Sequence, residues 1–317
     1  MTDTQNEVFK TPVNKIRLFE HGAPGSQNFK LTRKYYTEDM PDGRVKHIVQ
    51  NITDPDIVPY IPDGIGNSTD RQRIPAVLII PGGAFRRLVY NFEGEDVAKW
   101  LNSMGIAAFV LECRLPSDEH DNAEDVPLID AMRAMRVIRG RTQEFGIDEA
   151  KIGVMGFSAG GFMAALLSTA YESDVYADYK YKDEYDKLSA RPDFAVCSYP
   201  VISIDDCIEA GKRYMSEEQV LERISDSKAK ILHKYNPDKL VRPDMPPVFI
   251  CETDDDRTTL SENSVGFYMA ARKAGVSAEL HIFRTGGHGY GCGDDFAQTG
   301  EWKVLFTKWI KSIGIIS

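Results

Sequence analysis

From residue 74 onward, short apolar runs alternate with longer stretches in which apolar residues recur every three or four positions. The runs "PAVLII" (75–80), "IAAFVLE" (106–112), "KIGVMG" (151–156), "DFAVCSYP" (193–200), "PPVFICE" (246–252) and "AELHIF" (278–283) read as strands. Between them, helical spacing covers 94–105, 126–146, 159–170, 262–275 and 299–313, with Leu128, Met132, Met135 and Ile138 sharing one face. Strands that are apolar on both faces and separated by helices predict an α/β fold. Its central sheet is mostly parallel and covered by helices on both sides. No interruption is long enough for a second domain, so residues 1–317 are expected to form one.

Three segments stand outside this alternation. Residues 1–70 place turn formers ("HGAPGS", "MPDGR", "IPDGIGNS") around short extended runs such as Val45–Ile52, which predicts antiparallel strands leading into the core. Residues 171–192 are dense in Tyr and Asp, and 203–245 are polar with helical character. Both read either as solvated packing or as insertions that shape a substrate cleft.

Composition narrows the function. At 317 residues with 42% hydrophobic and 27% charged residues, the chain has the profile of a globular enzyme. A formal charge of −10 disfavours nucleic acid and anionic membranes as partners. No run reaches the roughly 20 apolar residues a membrane helix needs. The N-terminus lacks a basic start followed by an apolar run, so no secretory signal is expected. The five cysteines (113, 197, 207, 251, 292) show no metal spacing, so no metal or other cofactor is expected. Together these features make a reducing cytoplasm the expected location.

The chemistry concentrates at Gly156-Phe157-Ser158-Ala159-Gly160, a G-x-S-x-G between a predicted strand and a predicted helix. Glycines two positions either side let the chain turn sharply and hold the serine out. Ser158 then sits at a helix N-terminus, where the Ala159 N–H and the dipole favour a developing oxyanion. A serine needs a base, and this order of elements predicts an acid and then a histidine after later strands. Asp254-Asp255-Asp256 follow "PPVFICE", and His288 follows "AELHIF" in a glycine-rich loop. On position alone, any of the three aspartates could orient the histidine. The Pro-Gly-Gly after "VLII" would supply a second oxyanion donor from the N–H of Gly83 or Ala84. Arg86 and Arg87 follow, either facing solvent or docking an acidic or sugar group.

These residues resemble the α/β-hydrolase superfamily, and more narrowly its acetyl-xylan-esterase-like carbohydrate esterases, related to the prolyl oligopeptidases. The likeness runs from about residue 17 to the C-terminus through "PGGAF", "KIGVMGFSAGG", "PPVFICETDDD" and "ELHIFRTGGHGYG". It implies an α/β-hydrolase fold and a serine esterase acting through an acyl-enzyme. Ser158 is then the nucleophile, His288 the base and Asp255 the acid, because Asp255 falls at the first aspartate of the family's acid run. A short acetylated carbohydrate is the implied substrate. Tyr171, Tyr176, Tyr179, Tyr181 and Tyr185 are candidates to stack on its rings. A general short-chain carboxylesterase, a serine peptidase and a non-catalytic binding protein on the same fold are the alternatives.

Overall fold

The computed structural model describes residue 9 and residues 13–64, 73–213, 216, 218–219, 227–293 and 298–317. Eleven strands are assigned among them: β1 (Ile16–Arg17), β2 (Lys34–Asp39), β3 (Val45–Gln50), β4 (Asp56–Tyr60), β5 (Ile74–Ile80), β6 (Leu88–Val89), β7 (Ala107–Glu112), β8 (Ile147–Phe157), β9 (Ala195–Ser198), β10 (Val248–Thr253) and β11 (Ala278–Phe283). The helices are α1 (Asp96–Ser103), α2 (Val126–Gly140), α3 (Thr142–Phe145), α4 (Ala159–Ala170), α5 (Ile204–Lys212), α6 (Ser227–Lys234), α7 (Ser261–Lys273) and α8 (Trp302–Ser312).

Every residue of β7, β9 and β10 is buried, so the sheet needs cover on both faces, and the helices supply it. The main sheet runs β1-β4-β7-β5-β8-β9-β10-β11. From β7 to β11 every pairing is parallel, and only the β1–β4 and β4–β7 pairs are antiparallel. This is the predicted mostly parallel α/β sheet. A second, three-stranded antiparallel sheet, β2-β3-β6, takes up the early turn-rich segment. No described helix is long and apolar enough to cross a membrane.

Differences from the sequence reading lie mainly at element ends. The helix expected over 126–146 ends at Gly140, and α3 follows after Arg141 and is closed by Gly146 at φ 64°. The strand expected at 151–156 begins earlier, at Ile147, which pairs with Ile74 before the register shifts.

The 171–192 segment packs on α2. Arg133 bonds Asp183 and lies 3.1 Å from Asp186, and the Tyr176 hydroxyl donates to Asp186 at 2.9 Å. Tyr171, Tyr176 and Tyr179 are buried, and Tyr185 is partly buried, its ring facing the Arg133 guanidinium. Of the five tyrosines considered for sugar stacking, only Tyr181 is exposed, so the segment presents no aromatic platform. Arg133 and Arg136 on α2 hold Tyr185 and Tyr176, while the Tyr171 hydroxyl donates to Asp244 and the Tyr179 hydroxyl to the Gly22 carbonyl. The 203–245 segment contains α5, α6 and a 3₁₀ turn at Pro237–Leu240, and most of 214–226 lies outside the described residues.

Candidate active site

Ser158 stands at the turn between β8 and α4 with φ 54° and ψ −119°, a left-handed conformation that a non-glycine residue adopts only when its surroundings impose it. The glycines of the motif make this possible by close approach. A Cβ on Gly156 would run into the Gly160 carbonyl, and one on Gly160 would run into the Ile80 carbonyl. The turn is thereby pressed against the end of β5, next to the Pro81-Gly82-Gly83 loop.

The Ser158 Oγ lies 2.8 Å from Nε2 of His288, whose Nδ1 lies 2.6 Å from Oδ2 of Asp256. With Asp256 ionised, Nδ1 carries the proton it donates, so Nε2 is left to accept from the serine hydroxyl. Burial opposes ionisation of Asp256. The His288 ring and the Thr259 and Thr258 N–H groups outweigh it, and the carboxyl titrates below its ordinary value. The Thr259 hydroxyl also donates to Asp256, at 3.0 Å.

The acid facing His288 is therefore Asp256 and not Asp255, the residue implied by the family run. Asp254 and Asp255 are exposed, whereas Asp256 is 2% exposed. After β10 the chain turns, with the Asp254 N–H held by the Phe283 carbonyl, and this sends the third aspartate inward. Asp255 instead accepts the Gly287 N–H at 2.8 Å and so braces the loop that carries the histidine.

Gly83, Ala84 and Phe85 have φ of 138°, 57° and 60°, three successive positive values that curl the loop after β5. Gly83 and Ala84 line a cleft of about 230 Å³ together with Ser158 and His288, and Ala159 opens α4 directly after the serine. The five positions singled out around Ser158 (Gly83, Ala84, Ala159, Ser158 itself and His288) are thus gathered at one place. Arg87 also lines the cleft, whereas Arg86 is exposed.

Two residues at the site escaped the sequence reading. Glu93 is buried beside the cleft, in a π-helical turn before α1; its Oε2 accepts the Gly82 N–H at 2.8 Å, and its Oε1 accepts the Tyr199 hydroxyl at 3.0 Å. The Tyr199 oxygen in turn accepts the Gly291 N–H at 3.0 Å, and its ring meets that of His288 edge-on, 5.0 Å between centroids. Glu93 and Tyr199 thus tie the Gly82–Gly83 loop to the histidine loop through buried groups. Burial raises the Glu93 carboxyl above its ordinary value, against the opposing pull of His288, Tyr199 and Gly82. Tyr199 has φ 38°, a value no sequence pattern announces.

Tyr199→Phe is expected to leave the Gly291 N–H and the Glu93 Oε1 without the partner they share. The loss should be about 1–3 kcal/mol of stability, with roughly tenfold lower kcat and little change in KM. Thermal unfolding and steady-state kinetics check this. A stability loss with unaltered kcat at a temperature where the variant is folded would show that the tie has no bearing on turnover.

An eight-stranded, mostly parallel sheet with a strained serine at a strand-to-helix turn, bonded to a histidine from a later loop, defines the α/β-hydrolase class. Within that class the chain belongs to the BD-FAE family, whose profile matches residues 65–270. It is 30% identical over 240 residues to the acetylxylan esterase of Xylanibacter ruminicola, covering 75% of this chain and 45% of that protein. It is 29% identical over 269 residues to the endo-1,4-beta-xylanase B of Butyrivibrio fibrisolvens, covering 82% and 40%. The chain thus spans less than half the length of these two relatives. Among solved structures it resembles the acetyl ester-xyloside bifunctional hydrolase of Caldicellulosiruptor lactoaceticus, with TM-score 0.71 and 35% identity over 96% of this chain and 97% of that one.

Proposed function

We propose that the protein is a serine carboxylic-ester hydrolase that removes acetyl groups from short carbohydrates. The observation that carries this reading is the continuous hydrogen-bonded chain Ser158–His288–Asp256 opening onto a cleft. In the proposed mechanism Ser158 attacks the ester carbonyl while His288 takes the hydroxyl proton. Asp256 holds the imidazole in the required tautomer and stabilises the imidazolium. The N–H groups of Ala159 and of Gly83 or Ala84 receive the oxyanion. The sugar hydroxyl leaves with the proton from His288. Water, activated by the same imidazole, then releases acetate from the serine.

The carbohydrate part of the reading rests on similarity to proteins named for acetylated xylan and acetyl xylosides. A cleft of about 230 Å³ fits a small acyl group better than a long chain.

The test is acetate release from acetylated xylo-oligosaccharides, run beside nitrophenyl esters of increasing acyl length and a peptide amide. Acetate release, with kcat/KM falling from acetyl to octanoyl, is expected. Rising kcat/KM with chain length and no acetate from the sugars would leave a general carboxylesterase. Turnover of the amide above that of the esters would leave a peptidase.

A further inference from the structure

Three basic residues line the cleft although the chain carries a net charge of −10. Besides Ser158 and His288 the lining includes Arg44 and Lys46, from the segment at and before the start of β3, and Arg87, from just before β6. Two of these cations already have partners: Arg44 lies 2.8 Å from Asp42 and Arg87 pairs with Glu38 at 2.5 Å. Lys46 has no carboxylate within ion-pair distance among the described residues. Glu38 lies across from it in the β2–β3 register but is engaged by Arg87, and Glu93, which also feels its charge, has its oxygens committed to Gly82 and Tyr199.

Lys46 is also held in place. Asn91 donates to the Val45 carbonyl at 2.8 Å and accepts the His47 N–H at 3.0 Å, so the backbone either side of Lys46 is fixed to the segment whose Phe92 and Glu93 line the cleft. The Arg44 guanidinium lies over the Phe92 ring, 5.2 Å from its centroid, and so also stays at the cleft. An ammonium outside any ion pair, lining the same small cleft as the nucleophile, favours an anionic substrate group.

We propose that Lys46, flanked by Arg44 and Arg87, forms an anion subsite, and that the preferred substrate is an acetylated sugar that also bears a carboxylate, as a uronic acid does. This rests on the deacetylase reading above. One unpaired ammonium beside two paired guanidiniums matches a single negative charge better than a doubly charged phosphate.

Binding is tested separately from deacetylation. Two unacetylated xylo-oligosaccharides of equal length, one carrying a glucuronic acid and one neutral, are compared as competitive inhibitors of nitrophenyl acetate hydrolysis. The acidic sugar is expected to have about tenfold lower Ki at low ionic strength, and the gap should close in about 0.5 M salt. Lys46→Met should bring the two Ki values together, and Arg87→Met should narrow the gap partly. Equal Ki values for the wild type, or a gap that survives both salt and Lys46→Met, would overturn the subsite. The acetylated forms of the same pair separate the two ideas. A Ki gap with no acetate released from either sugar sinks the deacetylase reading while keeping the subsite, whereas equal acetate release from both, with equal Ki, does the reverse.

Discussion

Ser158→Ala is expected to abolish ester hydrolysis, lowering kcat at least about a thousandfold, while the protein keeps its fold. In the proposed mechanism the nucleophile is the serine hydroxyl at the β8–α4 turn, which lies 2.8 Å from His288 Nε2 and shares the cleft with Gly83 and Ala84. Alanine removes the oxygen and leaves every glycine contact that shapes the turn. Alanine at φ 54° carries the same backbone strain that serine does, so the stability change should be small. Burst kinetics with nitrophenyl acetate and thermal unfolding of the variant check both halves. Residual turnover near the wild-type level would require another nucleophile.

The second large effect separates neighbouring aspartates. Asp256→Asn is expected to lower kcat by about 10³–10⁴, because an amide can donate to Nδ1 and favour the wrong imidazole tautomer. Asp255→Asn is expected to cost less than about tenfold, since an asparagine oxygen can still accept the Gly287 N–H. Asp256→Asn also removes an acid whose pKa is lowered in the fold. Such a group contributes stability that is present above its unfolded pKa and lost as pH falls through its lower folded value. The wild type should therefore lose stability over the acidic range below the ordinary aspartate value, and the variant should lose less there. Parallel kinetics of the two variants decide the assignment, and a larger loss at Asp255 would return the acid to that residue.

The pair of predictions shows which parts of the site a sequence can announce. Ser158 was legible because its glycines fall within five consecutive residues between a clear strand and a clear helix, and His288 because its loop follows a clear strand. The acid was legible only to within one residue. Strand periodicity ends at Thr253, and beyond it the direction of each aspartate depends on the Asp254–Phe283 bond and on the three donors from Thr258 and Thr259. Those bonds form only once β11 and the turn are in place.

Glu93 and Tyr199 were hidden for a related reason. They lie 106 residues apart and are joined by one hydrogen bond, so neither carries a local signature. The tyrosines of 171–192 show the opposite failure. Composition suggested a sugar platform, but composition does not say which face a ring takes. Here Arg133 and Arg136 on α2 hold Tyr185 and Tyr176, while Tyr171 and Tyr179 bond to Asp244 and Gly22. The main sheet was readable almost throughout because a strand buried on both faces leaves a continuous apolar run that little else produces.

The most direct test of the account is peptide mass spectrometry of the protein after treatment with a fluorophosphonate ester, with and without an acetylated xylo-oligosaccharide present. A single adduct on Ser158, formed in step with loss of hydrolysis and slowed by the sugar, is expected of a serine esterase built on Ser158–His288–Asp256. An adduct elsewhere, or full hydrolytic activity with Ser158 modified, would contradict it.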